Sequence, residues 1–324
     1  MPARIQRREF LAGMGTAAAA VAAASLWDTP AQAGMKSPFR ISVINDEISQ
    51  DFGRACEVAA REFGMEWIEL RSMWNKNIVD LDGKEVAEAK RLVEKYQLRV
   101  TDIASPLFKV DWPSAPKSKF SPKHDQFNAG FTFAQQDEVL ERSIELAKTF
   151  GTERVRCFDF WRLDDQAPYR AAMNEKLQDA AEKAGKKGLS LVLENEAACN
   201  TASGAESAKV LSGVKSRYFM LNWDPGNAAA TGEKPYPDGY DLLPKDRIGH
   251  CHCKDAVKRG KDYDWEAMGR GTIDWVGQFK ALKRDGYHYA VSLETHWRGA
   301  GTPEESSRQS WAGMKEQLHK ADAL

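Results

Sequence analysis

The chain has 324 residues, of which 42% are hydrophobic and 29% are charged, and its formal net charge is −1. This length and composition are sufficient for a large buried core in one or two domains. The balanced charge gives no electrostatic basis for binding nucleic acid or an anionic membrane surface.

The first 33 residues have the pattern of an export signal. The pair Arg7-Arg8 is followed by an Ala-rich apolar stretch and then by the small-residue sequence AQA, which ends at Ala33. The apolar stretch is too short and too rich in Ala for a membrane anchor. The pattern predicts a twin-arginine signal over residues 1–33, cleaved after Ala33, and a folded domain over residues 34–324 in the periplasm or another exported location.

Beyond the signal, strand-like apolar runs alternate with amphipathic helix-like stretches. Eight strands are predicted, near residues 40–45, 67–71, 100–105, 155–158, 190–194, 219–224, 248–253 and 290–294. Amphipathic helices are predicted between them, including 83–96, 134–150, 169–188 and 205–214. This alternation indicates an α/β fold, a single closed parallel (β/α)8 TIM barrel. An open doubly wound sheet is the alternative, but no Gly-rich phosphate loop follows the first strand.

Two long segments interrupt this alternation, at residues 108–133 after the third strand and at 226–244 after the sixth. Loops of this length are often lids or substrate contacts, and packing on the barrel rim is the alternative. The five cysteines show no disulfide spacing. Cys251 and Cys253 flank His252 on one predicted strand, so strand alternation points them away from the barrel interior.

Four predicted strands run from apolar residues into a side chain of metal-ligand type. The segments SLVLENE, FMLNWDPGN, GHCHCKD and VSLETHW place Glu194, Asp224, His252 and Glu294 at successive strand ends. In a parallel barrel these ends open onto one face, which carries the chemistry. Three carboxylates and an imidazole would repel one another there unless a divalent cation lay between them. The pattern therefore predicts a metal centre, with Glu196 as an alternative to Glu194 if the strand ends later.

The chemistry of this ligand set restricts the metal. Oxygen-rich ligands with one imidazole favour Mn²⁺, with Mg²⁺, Co²⁺ or Zn²⁺ as alternatives, over a thiolate-bound structural zinc. Around the centre, His250 shares the strand face of His252, and Glu47 and Glu69 end the first two strands. Each is either a substrate contact or part of the surrounding polar structure, and the same alternatives apply to Lys254 with its neighbour Asp255.

The order of several short motifs resembles a known family. The motifs NDEIS, IELR, ASPLFK, LENE, WDPGN, HCKD, GRGTID and SLETH occur in sequence from about Phe39 onward. This order is similar to that of the xylose isomerase-like TIM barrel superfamily, in particular the sugar phosphate isomerase/epimerase group related to ketose 3-epimerases. The resemblance implies a metal-dependent sugar isomerase or epimerase that removes a proton α to a carbonyl through a metal-stabilised enediolate. It assigns Glu194 and Glu294 as the catalytic carboxylates as well as ligands.

The chain departs from these epimerases at two positions that matter for substrate binding. Asn227 stands where many of them carry a His, three residues after the ligand Asp. Their substrate-binding Arg corresponds here to Arg270 or Arg259. The predicted substrate-binding set is Glu47, Glu69, Asn227, His250, Lys254 and Arg270.

Three other functions share part of this pattern. A lyase or hydrolase of 3-keto-glycosides would begin with the same enolising step and then expel a leaving group. A phosphodiesterase of the endonuclease IV type needs three zinc ions, a basic groove and more histidines than the six present. A non-catalytic carbohydrate-binding barrel would not need two enolising carboxylates. The sequence predicts a small-molecule sugar or keto-glycoside as partner, without nucleic acid or stable membrane insertion, and leaves homo-oligomerisation open.

Overall fold

The structure is a computed structural model that describes residues 35–121, 130–260 and 262–324. The predicted export signal lies outside these residues, as does part of the long segment after the third strand. Within the described residues, no helix combines the length and the apolar character needed to cross a membrane.

Eight parallel strands form the centre of the fold. They are β1 (Arg40–Val43), β2 (Trp67–Leu70), β3 (Arg99–Leu107), β4 (Arg154–Cys157), β5 (Ser190–Glu194), β6 (Phe219–Trp223), β7 (Ile248–Cys253) and β8 (Ala290–Leu293). The hydrogen-bonded order is β1-β8-β7-β6-β5-β4-β3-β2. A parallel bridge between Ile44 and Glu69 joins the two ends of this order, which nearly closes the sheet. The predicted (β/α)8 barrel is therefore confirmed.

Helices follow the strands and cover the barrel. They are α1 (Asn45–Ile48), α2 (Phe52–Glu57), α3 (Gly83–Lys95), α4 (Gln136–Phe150), α5 (Arg170–Gly185), α6 (Gly204–Gly213), α7 (Pro225–Ala230), α8 (Trp275–Arg284) and α9 (Pro303–Lys320). Local sequence sets their ends. A reciprocal capping box of Asp82 and Glu85 begins α3, and Gly151, with φ of 70°, ends α4. The four helices predicted from amphipathic periodicity correspond to α3, α4, α5 and α6.

The segment after β6 differs from the long loop that the sequence predicts. Asp224 accepts a hydrogen bond from the backbone N–H of Asn227, and Pro225 occupies the first helical position, so α7 begins directly at the strand end. An N-cap Asp followed by Pro is a strong helix start, and three alanines continue the helix. Asp224 is thereby held at the junction of strand and helix.

Two short antiparallel hairpins add to the C-terminal end of the barrel. One pairs Ser72–Met73 with Lys76–Asn77 after β2, and the other pairs Asp255–Arg259 with Asp262–Glu266 after β7. The second hairpin begins at Asp255, only three residues after His252. It therefore extends from the strand that carries one of the four predicted ligands.

The outer faces of the strands pack against the helices, whereas the barrel interior is polar. All five cysteines are free and buried. Inside, Glu69 on β2 contacts His250 and His252 on β7 at 2.9 and 3.0 Å. Because β2 and β7 are not neighbours in the sheet, these contacts cross the barrel interior and connect its opposite walls.

Candidate metal centre

The ends of four consecutive strands bring the four predicted ligands together. Glu194 is the last residue of β5, Asp224 and Glu294 directly follow β6 and β8, and His252 lies in β7. One ligand atom from each lies within 4.8 Å of the others. All four side chains are buried. Buried carboxylates at this spacing need positive charge nearby, so the arrangement fits a cation.

His252 is oriented with one ring nitrogen toward the carboxylates. Its Nδ1 lies 3.3 Å from Glu294 Oε2, 3.5 Å from Glu194 Oε1 and 3.7 Å from Asp224 Oδ2. Its Nε2 lies 3.0 Å from Glu69 Oε1, which fixes the ring and makes Nε2 the natural site of the N–H. Within the described residues, the buried Nδ1 makes no hydrogen bond. A buried imidazole nitrogen without a hydrogen-bond partner is well placed to bind a divalent cation.

The charge on His252 depends on the same neighbours. Burial disfavours a charged ring, but Glu69, Glu294 and Glu194 outweigh it and hold the pKa of His252 well above its usual range. The ring is therefore protonated when no metal is bound. A divalent ion on Nδ1 would replace that proton, which makes metal binding and proton release coupled events.

The two glutamates that end the ligand series are each held by a buried arginine. Arg156 Nη1 donates to Glu194 Oε2 at 2.9 Å, and Arg71 Nη1 donates to Glu294 Oε1 at 2.6 Å. Burial raises the pKa of Glu194, but Arg156 and His252 lower it to about 2. Burial is likewise outweighed at Glu294, where Lys254 and the two nearest histidines hold the pKa well below its usual range. Both side chains are carboxylates at neutral pH, with one oxygen fixed and the other facing His252.

Lys254 lies within the cluster itself. Its ammonium is 2.7 Å from Asp224 Oδ2 and 2.7 Å from Glu294 Oε2, and its side chain is 1% exposed. Its neighbour Asp255 points elsewhere. The Asp255 carboxylate accepts hydrogen bonds from the backbone N–H groups of Gly269 and Gly271, so it fixes the GRGTID loop rather than forming an ion pair with Lys254.

The other predicted substrate-binding residues fall into two groups. Glu69 and His250 lie behind His252, on the side away from the carboxylates, with His250 Nε2 at 2.9 Å from Glu69 Oε2. Glu47 is engaged by Arg71 at 2.6 Å and by Arg298 at 2.8 Å. These contacts orient the centre and leave little free hydrogen-bonding capacity for a substrate.

Asn227 and the two candidate arginines occupy different surroundings. Asn227 Nδ2 donates to Glu194 Oε1 at 3.3 Å and to the Asn195 carbonyl, so it supports a ligand. Arg270 is exposed and lies over the Trp297 ring at 5.8 Å. Arg259 pairs with Asp264 across the hairpin at 3.3 Å, in an exposed position. Among the described residues, no contact joins either arginine to the four-residue cluster.

Glu196, the alternative ligand, lies outside the cluster. It is half-buried, and its Oε2 lies 3.4 Å from Lys109 Nζ. The strand ends at Glu194, as the sequence predicts, and it is Glu194 that faces His252.

Sequence reasoning missed several side chains that shape the centre: Arg71, Arg156, His296 and Trp265. Arg156 lies in the strand RVRC and Arg71 directly follows the strand WIEL. An arginine next to such apolar residues is a usable signal, because a charged side chain there needs a buried partner. His296 Nε2 lies 3.2 Å from Glu294 Oε1, and its ring packs against Trp265 at 5.4 Å between centroids. The sequence signal for His296 was its position two residues after Glu294, close to a predicted ligand.

Comparison with known proteins identifies the fold. The family model of the xylose isomerase-like TIM barrel matches residues 58–317. No curated protein matches the chain in sequence.

Solved structures resemble the chain at low sequence identity. A D-allulose 3-epimerase from Methylomonas sp. is 18% identical with a TM-score of 0.62, covering 89% of this chain and 99% of that one. A probable 3-DHS dehydratase from Bacillus anthracis is 18% identical with a TM-score of 0.64, covering 86% and 98%. A fusion protein of a xylose isomerase-like TIM barrel with 4-hydroxyphenylpyruvate dioxygenase is 15% identical with a TM-score of 0.65, and 88% of this chain spans only 45% of it. At these identities the likeness establishes the fold.

Proposed function

The chain belongs to the xylose isomerase-like TIM barrel family, and from this we propose that it is a divalent-metal-dependent sugar isomerase or epimerase. The observation that carries the proposal is the convergence of one ligand atom each from Glu194, Asp224, His252 and Glu294 within 4.8 Å of one another. Structural neighbours that are themselves named as sugar epimerases support the substrate class. Mn²⁺ is the proposed ion, because three carboxylates and one imidazole form a set that this ion prefers.

The residues around the centre suit an enolising reaction. A divalent ion held there would polarise a substrate carbonyl and acidify the neighbouring C–H. Glu194 and Glu294 flank the ligand series, coming from β5 and β8, and we assign them the removal and return of the proton α to the carbonyl. Arg156 and Arg71 each fix one oxygen of these carboxylates. Both carboxylates are ionised, so each can accept a proton.

The cationic groups around these carboxylates also limit their basicity, with Arg156 first at Glu194 and Lys254 first at Glu294. A pKa of about 2 makes Glu194 a weak base. The proton transfer therefore depends on a C–H made acidic by the polarised carbonyl, and on a short distance between base and carbon. Lys254 and His296, whose cationic or N–H groups lie beside Glu294, are the proposed hydrogen-bond donors to the substrate oxygens.

Elimination is the second candidate reaction. The likeness to a probable 3-DHS dehydratase favours it, because loss of water from a hydroxyketone also begins with proton removal α to a carbonyl. A 3-keto-glycoside lyase or hydrolase would use the same first step and then expel the group on the β carbon. Isomerisation and elimination are distinguished by the product, not by the site.

Proton exchange tests the proposal directly. The purified protein, analysed for bound metal, is incubated in D₂O with ketoses and 3-keto-glycosides, and deuterium incorporation α to the carbonyl is followed by NMR. We expect exchange that requires a divalent ion and that falls at least about 10²-fold in Glu294→Gln, the scale of a lost general base. Glu196→Gln is the matched control, because Glu196 lies outside the cluster and should leave exchange unchanged. Ion-free protein that neither binds Mn²⁺ nor exchanges a proton would point to a carbohydrate-binding barrel instead.

Export is proposed on the sequence alone, from the twin-arginine pattern over residues 1–33. Folding before transport would allow the ion to be loaded inside the cell. Replacing Arg7 and Arg8 by Lys should retain the protein in the cytoplasmic fraction, whereas the unaltered chain should be recovered outside it with residues 1–33 removed. Equal fractionation of the two chains contradicts the proposal.

A further inference from the structure

The position of Lys254 within the carboxylate cluster needs an explanation of its own. Its Nζ lies 2.7 Å from Asp224 Oδ2 and 2.7 Å from Glu294 Oε2. These are the same two oxygens that face Nδ1 of His252, at 3.7 and 3.3 Å. The ammonium therefore contacts the same two oxygen atoms that a bound ion would use.

The fold provides a fitted path for the side chain of Lys254. A Cβ on Gly226, in the WDPGN motif, would collide with Cγ of Lys254 and approach its Cε at 3.1 Å. The absent side chain at Gly226 thus makes room for the lysine stem. At the other end, Nζ lies 5.1 Å from the centre of the Trp265 ring, on the hairpin after β7. The lysine is held in place from two elements, so its contact with the cluster is specific.

Charge balance explains why a cation is needed there. Asp224 and Glu294 are buried side by side, and buried carboxylates without a partner are strongly destabilising. The ammonium neutralises part of this charge when no metal is present. A divalent ion on the same oxygens would be repelled by an ammonium only a few ångströms away, since Coulomb energy is large at such distances in a buried site.

We propose that Lys254 is an internal counter-cation that holds Asp224 and Glu294 in the ion-free protein and gives up these contacts when a divalent ion binds. The inference rests on the proposed metal centre. It adds a step of loading, in which the ion displaces the ammonium from the two carboxylates. The displaced group then moves toward the mouth of the barrel, beside the Trp265 ring that lies 5.1 Å from its present position, where it can meet a substrate oxygen.

Metal affinity tests the competition. The full-length protein is stripped with a chelator and titrated with Mn²⁺ by calorimetry, with Lys254→Met as the test variant because Met keeps the length of the stem and removes the charge. We expect the dissociation constant for Mn²⁺ to fall by about tenfold or more, as the ion no longer displaces a cation. Lys109→Met is the control, since Lys109 contacts Glu196 and should leave affinity unchanged. Unchanged or weaker binding by Lys254→Met overturns the inference, whereas absence of Mn²⁺ binding in the unaltered protein overturns the metal centre itself.

Chemical labelling of the unaltered protein tests displacement without a variant. An amine-reactive reagent is applied with and without Mn²⁺, and modification of Lys254 is quantified by mass spectrometry. We expect Lys254 to be protected in the ion-free protein, where it is buried, and to be labelled several-fold faster when Mn²⁺ is bound. The exposed Lys320 serves as the internal reference. Equal labelling of Lys254 in the two states overturns the inference, even if Lys254→Met fails to fold.

Discussion

Individual polar residues inside this barrel are placed to serve the centre above them. Barrels of this type usually fill their interior with branched apolar side chains, whereas here acidic, basic and imidazole groups lie between the walls. Glu69 bonds both His250 and His252, and Arg156 reaches Glu194 while also donating to the carbonyls of Ser105 and Ala104. Such contacts orient ligands and set their charge, which explains why polar groups are kept in a position where apolar ones would stabilise the fold more.

Asp102 is the exception among these residues, and it leads to a prediction on pH. It is fully buried on β3, and within the described residues neither carboxyl oxygen makes a hydrogen bond. Burial and the nearby Glu69 raise the pKa of Asp102 to about 8. The folded protein therefore holds a proton that the unfolded chain releases near pH 4, so this residue's contribution to stability is greatest below about pH 4 and is lost as pH rises toward 8.

The variant Asp102→Asn should remove this pH dependence. Linkage gives a loss of about 1.4 kcal/mol of unfolding free energy per pH unit for one proton in that window. Urea unfolding of the two proteins between pH 4 and 8 measures the difference in slope. Parallel stability curves would show that Asp102 is already ionised in the folded protein at neutral pH.

At the scale of elements, the strands were predictable and several of their connections were not. Parallel strands buried on both faces read as short apolar runs, and all eight lie where these runs occur. The convergence of the four candidate ligands followed from the same reasoning, because a strand's end fixes the face on which the next side chain lies. By contrast, α7 was predicted as loop, since only six residues form it and its start depends on the cap by Asp224.

The contacts of the buried arginines could not be predicted from sequence for a different reason. Arg71 follows β2 and bonds Glu294, which follows β8, and Glu47, which lies in α1. These partners are far apart in the chain and meet only because the barrel closes. The local sequence pattern carries no information on such pairs. The positively charged partners of the two glutamates could therefore be identified only from the three-dimensional structure.

The hairpin and the loop after it depend on one side chain, Asp255. Its carboxylate accepts from the backbone of Ala256, Gly269 and Gly271, and a Cβ at Gly271 would collide with it. Asp255 of the HCKD motif thus binds the backbone of the GRGTID motif and holds the two segments together. Asp255→Ala should leave these N–H groups without their acceptor and lower the free energy of unfolding by about 2–4 kcal/mol.

Chemical denaturation measures this loss, and Asp264→Ala on the same hairpin is the matched control. Asp264 is exposed, and among the described residues its ion pair is with Arg259, so its removal should cost less than about 1 kcal/mol. If the two variants are equally stable, Asp255 is not what holds the loop.

For the whole molecule, the candidate centre ties together half of the barrel. Its ligands come from β5, β6, β7 and β8, which are consecutive in the chain and adjacent in the sheet. An ion that binds the folded state stabilises all four junctions at once, because the unfolded chain cannot assemble the set. Stability should therefore depend on the ion and not only on the hydrophobic core.

Removal of the ion should lower the melting temperature of the protein. At a free Mn²⁺ concentration one hundred times the dissociation constant, linkage predicts about 2.7 kcal/mol of added stability, or a shift of roughly 4–5 °C for a domain of this size. Thermal unfolding with Mn²⁺ and with excess chelator measures it. The variant His252→Gln, which keeps a polar side chain but loses the imidazole ligand, should unfold at the same temperature under both conditions. If the variant shows a shift of equal size, the stabilising ion binds elsewhere in the molecule, because the variant differs from the unaltered chain only at His252.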